Sequence, residues 1–223
     1  MSAAQKGEPL VEQMVVPRGG KVTLRKVRAK RGTVKVKGKT CVVPAATPLA
    51  ALLRTSWRGK LRLRDYGSCS TRAIDSSGLF VKAIGPDMNS GLDGWVYKVG
   101  RKLGTAGAAD PAGPFGDGRL RSGRRVIWFY CVFDEASCQR SLETSNEVVG
   151  DKLRVTVTGY NDPGTGVAVT GARVTARATS GSTVTRATGP DGRVELPLTA
   201  GSYALRATKA GLIPAFPERV EFP

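Results

Sequence analysis

Apolar and polar side chains alternate along most of the chain in short runs punctuated by glycine and proline. This is the two-residue period of half-buried strands rather than the longer period of helices. Val22 and Leu24 open the pattern. Val34 and Val36 repeat it between Lys35 and Lys37, and Leu61 and Leu63 repeat it beside Arg62 and Arg64. Two further strands are predicted within GLFVKAIG, residues 78–85, and GWVYKVG, residues 94–100. The run from Val126 to Phe133 is apolar without alternation, which predicts a strand covered on both faces and so central in its sheet. One stretch breaks the period. In ATPLAALLRTS, residues 46–56, Thr47 suits a helix cap, Pro48 suits the first turn, and Leu49, Leu52 and Leu53 form one stripe. A loop dense in glycine and proline is predicted over 101–123. One helix against a small mixed sheet is an α+β arrangement.

From Leu153 the texture changes. LRVTVTGY, ARVTARATS, STVTRATG, GRVELPLTAG, SYALRATKAG and RVEF alternate with turn residues between them and no helix intervenes, the pattern of an antiparallel β-sandwich. The chain of 223 residues is therefore expected to be mainly β, with two domains. Residues 1–20 read as a flexible lead-in, 21–140 as the first domain, 141–152 as a polar linker and 153–223 as the sandwich.

Charge distinguishes the two halves. The chain carries 35 Lys and Arg against 18 Asp and Glu. Residues 21–142 hold 24 of those bases and only 8 acids, whereas residues 143–223 are nearly balanced. A field of this kind attracts polyanions such as nucleic acid, anionic lipid or cell-wall polymer. The candidate contacts are Lys21, Arg25, Lys26, Arg28, Lys30 and Arg31, within a stretch from Lys21 to Lys39 that contains no acid. The same lysines also keep an edge strand from pairing with another chain.

There are four cysteines and no histidine, a combination that favours disulfides over a zinc site. Four cysteines allow three pairings. Cys131 and Cys138 flank the short stretch VFDEAS, and pairing them leaves Cys41–Cys69. Disulfides imply an oxidising compartment, so an extracellular or cell-surface setting is expected. The opening MSAAQKGEPL has no apolar core of a signal peptide, and the chain is read as a mature extracellular form.

Catalysis has little support. Without histidine no Ser-His-Asp or Cys-His arrangement is available, and Asp65, Asp75, Asp87 and Asp93 sit in turn-like settings where carboxylates serve the backbone. Asp110 and Asp117 in DPAGPFGDG lack the alternating acids of a calcium loop, and no glycine-rich phosphate loop follows a strand. No enzyme activity, metal or cofactor is expected. Trp95 and Tyr97 share one face of a short strand. They serve either as core or, with Phe80, Trp128 and Tyr130, as a surface that stacks on a small ligand.

The helix TPLAALLRTS, the strand LFVKAIG, the segment GWVYKVG and the closing LRSGRRVIWFYC, within residues 33–133, resemble a bacterial domain-of-unknown-function family. That family is related to the C-terminal β-domain of transcobalamin and intrinsic factor. The resemblance implies a β-grasp-like fold common in extracellular bacterial proteins. Gly100-Arg101 stands where the family usually has Asn-Gly. Residues 153–223 resemble carboxypeptidase-regulatory-like and bacterial Ig-like β-sandwich modules, through VTGARVTARA and TGPDGRVELPLTAGSYALRATKAGLIP. Related adhesins link such sandwiches by a lysine isopeptide bond. Lys152 and Glu195 match two of the three residues needed, the third has no counterpart, and no such bond is expected. Three functional expectations follow: a secreted or surface bacterial binding protein for a polyanion or wall polymer, a cobamide-like small-molecule binder using Trp95 and Tyr97, or a purely structural surface module.

Overall fold

The computed structural model describes residues 8–19, 21–55, 61–134 and 137–223. It divides into two units, Met1–Asp134 and Glu135–Pro223. In the first unit the elements are β1 (Leu10–Val16), β2 (Thr23–Arg28), β3 (Gly32–Val36), β4 (Lys39–Val43), α1 (Pro48–Leu52), β5 (Leu61–Asp65), β6 (Leu79–Ile84), β7 (Asp87–Met88), β8 (Gly94–Val99), β9 (Lys102–Leu103) and β10 (Arg125–Cys131).

The principal sheet runs β2-β1-β10-β8-β9, with β1 parallel to β10 and the other neighbours antiparallel. Its five strands, counted along the chain, lie in the order 2-1-5-3-4, which is a β-grasp sheet. Val126 to Cys131 of the apolar run lie in β10, which is buried and paired on both sides as expected of a central strand, whereas Val132 and Phe133 lie beyond the strand and are exposed. Val11 and Val15 of β1 and Val126 and Trp128 of β10 meet Leu49, Ala50, Ala51 and Leu52 of α1 in one core. Thr47 caps the helix by accepting from Ala50 N at 3.2 Å, and the buried Gln13 of β1 donates Nε2 to the Ala51 carbonyl and to Thr55.

Two expectations for the first unit need correction. The lead-in over 1–20 contains β1, an inner strand whose Val11, Met14 and Val15 are fully buried. Its pattern is not a clean alternation, and its parallel partner lies more than a hundred residues away. Residues 1–7 and Gly20 lie outside the described residues. The helix is shorter than 46–56: Leu53 and Arg54 continue it only as a turn, and Ser56 lies outside the described residues.

The linker expected over 141–152 is also structured. In the second unit, β11 (Ser141–Val149) pairs antiparallel with β12 (Lys152–Tyr160) over nine positions. Its polar composition reflects an edge strand whose residues from Ser145 onward are exposed. β13 (Gly166–Ala168), β14 (Arg173–Ala178), β15 (Thr183–Ala187), β16 (Arg193–Pro197), β17 (Gly201–Thr208) and β18 (Glu218–Phe222) complete two four-stranded sheets. The first joins β11, β12, β13 and β16; the second runs β15-β14-β17-β18. Leu153, Val155 and Val157 of β12 and Val174 and Ala176 of β14 supply inward positions at every second residue. Tyr203 is buried and donates its hydroxyl to the Thr199 carbonyl at 2.7 Å, locking the turn that leads into β17.

Cys41 on β4 is bonded to Cys69, and Cys131 and Cys138 are in disulfide form too, so no cysteine is free. Among the described residues, no helix is long and apolar enough to cross a membrane. Replacing Cys41 and Cys69 by serine removes a crosslink across 28 residues. The variant is expected to lose about 3 kcal/mol of unfolding free energy, read from its guanidinium midpoint, and an unchanged midpoint would contradict the structure.

Candidate functional site

The antiparallel register of β8 and β10 sets Tyr97 opposite Trp128 and Trp95 opposite Tyr130. The first pair stacks at 5.3 Å between centroids with a 46° tilt, the second edge-to-face at 6.0 Å. Directly opposed aromatic side chains of this kind stabilise a strand pair. All four residues are buried: Trp95 is 2 % exposed, Tyr97 6 % and Trp128 1 %.

Three of the four polar handles are directed at backbone carbonyls of β7 and of the loop after β9. Trp95 Nε1 donates to Asp87 O at 2.9 Å, Tyr130 Oη to Met88 O at 3.0 Å, and Tyr97 Oη to Ala106 O at 2.6 Å and Pro114 O at 3.2 Å. Tyr97 therefore ties the loop after β9 to the sheet. Burial pushes its hydroxyl well above the ordinary value of 10.0, and the Asp110 carboxylate adds to the shift. Close approach requires glycine at two positions. A Cβ on Gly104 would fall 2.1 Å from the Tyr97 ring, and one on Gly107 would fall 2.0 Å from the Ser77 carbonyl.

Between this loop and the β5–β6 ribbon lies a pocket of about 320 Å³, with Trp95, Tyr97 and Trp128 in its wall and Leu79, Val81, Leu103, Ala106 and Ala108 around them. Four of the five expected aromatics line it; Tyr130 does not, and instead backs Trp95. At the mouth Phe80 is 40 % exposed and Tyr66 64 % exposed, their rings meeting edge-to-face at 5.6 Å. The Arg64 guanidinium lies 4.5 Å from the centre of the Tyr66 ring. Arg64 stands opposite Phe80 in the ribbon, and Tyr66 N donates to Gly78 O at 3.0 Å. Tyr66 was not among the expected site residues. Its signal was present, because Arg62, Arg64 and Tyr66 continue one outward face of LRLRDY.

The six expected cationic residues are all exposed. Arg25, Lys26 and Arg28 belong to β2, the outer strand of its sheet, with Lys21 before it and Lys30 and Arg31 after it. Among the described residues only Lys30 of these six has an ion pair, with Glu8 at 3.7 Å. The β3–β4 hairpin follows at once, exposing Lys35, Lys37 and Lys39 around a two-residue turn in which Lys37 and Gly38 both have positive φ. Arg54 holds the connection by donating to the Lys30 and Arg31 carbonyls at 3.3 and 2.8 Å.

No family model, curated protein or solved structure matches the chain. Its chemistry is therefore read from its own side chains. Asp65 accepts from the Gly67 and Cys69 amides, Asp87 from the Arg18 amide, Asp93 from the Phe133 amide and Asp110 from the Ala112 amide, while Asp75 accepts from the Ser70 hydroxyl. These carboxylates organise turns and loops. In the second unit Arg154 bridges Glu147 at 3.3 Å and Glu195 at 3.0 Å, and Lys152 lies 3.6 Å from Glu195. The Arg154 hydrogen bond holds the Glu195 carboxyl below its ordinary range. Lys152 and Glu195 thus form part of a solvent-facing ion network.

Tyr97→Phe is expected to cost about 1–2 kcal/mol near neutral pH, the price of stranding a loop carbonyl. The variant also has a pH signature. A phenol held neutral in the folded state stabilises the fold below its ordinary pKa, and that stability is lost as pH rises above it. Melting temperature followed from pH 8 to 11 should therefore fall more steeply for the wild type than for Tyr97→Phe, and parallel curves would contradict the assignment.

Proposed function

We propose that the chain is a non-catalytic, secreted or cell-surface binding protein whose first unit recognises a polyanion. The reading fits the bacterial extracellular kinships that the sequence suggests. The observation that carries it is the acid-free stretch from Lys21 to Lys39, laid out on an outer strand and a hairpin with its cations exposed. Exposed, largely unpaired cations on an outer strand are already hydrated and need no rearrangement to meet phosphate, sulfate or carboxylate groups. The charge is confined to one unit: Met1–Asp134 holds 25 bases and 9 acids, whereas Glu135–Pro223 holds 10 and 9. A spacer module has no use for such a field, and a recognition module gains association rate and affinity from it. The disulfides support an oxidising compartment.

The interaction is electrostatic and therefore salt-dependent. With a 20-base-pair DNA duplex as a regular polyanion probe, engagement of six cations predicts an affinity loss of about a thousandfold between 50 and 200 mM salt. Lys26→Glu with Arg28→Glu should flatten the log–log slope by about two. Absence of binding at 50 mM salt, or a slope unaffected by these changes, would overturn the proposal.

A further inference from the structure

We propose that the pocket between β6, β8 and the 104–108 loop is a binding site for a small planar aromatic molecule carrying a carbonyl-type acceptor. It is independent of the basic strand and gives a location and a ligand class to the small-molecule alternative raised by the sequence, in which Trp95 and Tyr97 with Phe80, Trp128 and Tyr130 form a stacking surface.

Four observations carry it. The cavity of about 320 Å³ is at the lower end of the size of ligand pockets and holds one or two fused rings, but not an intact corrinoid. Its wall is prearranged, because Trp95 and Tyr97 are buried against cross-strand partners and their polar groups are committed to Asp87, Ala106 and Pro114. The mouth presents Tyr66 and Phe80, two rings that remain in water while Leu79, Val81 and Ile84 of the same ribbon join the apolar core. A flat ligand sliding between rim and wall would take the rim rings out of water.

The fourth observation gives polarity. Trp128 lines the pocket and is 1 % exposed, yet its Nε1–H has no acceptor among the described residues. A buried donor without a partner is uncommon, and an acceptor on a bound ligand would satisfy it. The ligand class follows: aromatic for the rim, small for a cavity of this volume, and bearing an oxygen acceptor for the indole. Arg64, stacked on Tyr66, disfavours a cationic ligand at the mouth.

Coumarin, a fused bicycle with a lactone carbonyl, is the probe. Titrated into ¹⁵N-labelled protein at 500 mM salt, it should move one of the three indole N–H signals saturably. Trp128→Phe should identify that signal by its disappearance. Phe80→Ala and Tyr66→Ala change exposed side chains, so their melting temperatures report whether the fold is kept. Each should weaken binding by about fivefold, as expected for loss of one aromatic contact. No saturable shift up to the solubility limit, or binding that survives both rim variants, would overturn the proposal.

Discussion

The Trp95–Tyr130 and Tyr97–Trp128 pairs bury four large rings across one pair of strands, and the first unit is arranged around that burial. Removing a ring of this size from water contributes on the order of 4–6 kcal/mol, whereas a hydrogen bond contributes about 1 kcal/mol. Burial therefore drives the collapse and the hydrogen bonds steer it. Each phenol or indole handle that enters the core needs an acceptor, and the acceptors are carbonyls of β7 and of the loop after β9. A thin sheet with a five-residue helix has little regular structure to cover its core, and the loop becomes a wall.

That arrangement leaves the pocket as a by-product of coverage. Glycine at 104 and 107 lets the loop approach the Tyr97 ring and the Ser77 carbonyl, and the space beyond them is bounded by side chains from β6, β8 and β10. The Trp128 nitrogen is the one aromatic handle of the four that has no acceptor among the described residues. The basic strand lies apart from this logic. β2 contributes Val27 to the core, keeps Thr23 and Leu24 half-buried and turns Arg25, Lys26 and Arg28 to water, so its cations cost little in burial and are free to set the unit's field.

Strands with one wet face were legible in the sequence because their alternation records the two environments directly. Val34 and Val36 of β3, Leu61 and Leu63 of β5 and the six repeats of the sandwich are examples. The central position of β10 was legible for the opposite reason, since both faces are dry. β1 was missed because Glu12 and Gln13 interrupt its apolar run and its parallel partner is remote in sequence. β11 was missed because an edge strand exposed over half its length has the composition of a linker. At the site, the aromatic residues were legible but not their roles. Whether a ring is wall or rim depends on which strands meet, and Trp95 and Tyr97 proved to be wall while Phe80 and Tyr66 formed the rim.

The central claim is that the Tyr97 hydroxyl, rather than the loop's own composition, holds the wall in place. Hydrogen exchange of the Thr105 and Ala106 amides, both bonded to the Pro114 carbonyl, reads it directly. In Tyr97→Phe these two amides should exchange at least about tenfold faster while the amides of β1 and β10 keep their protection. Equal protection of the loop in both proteins would contradict the account.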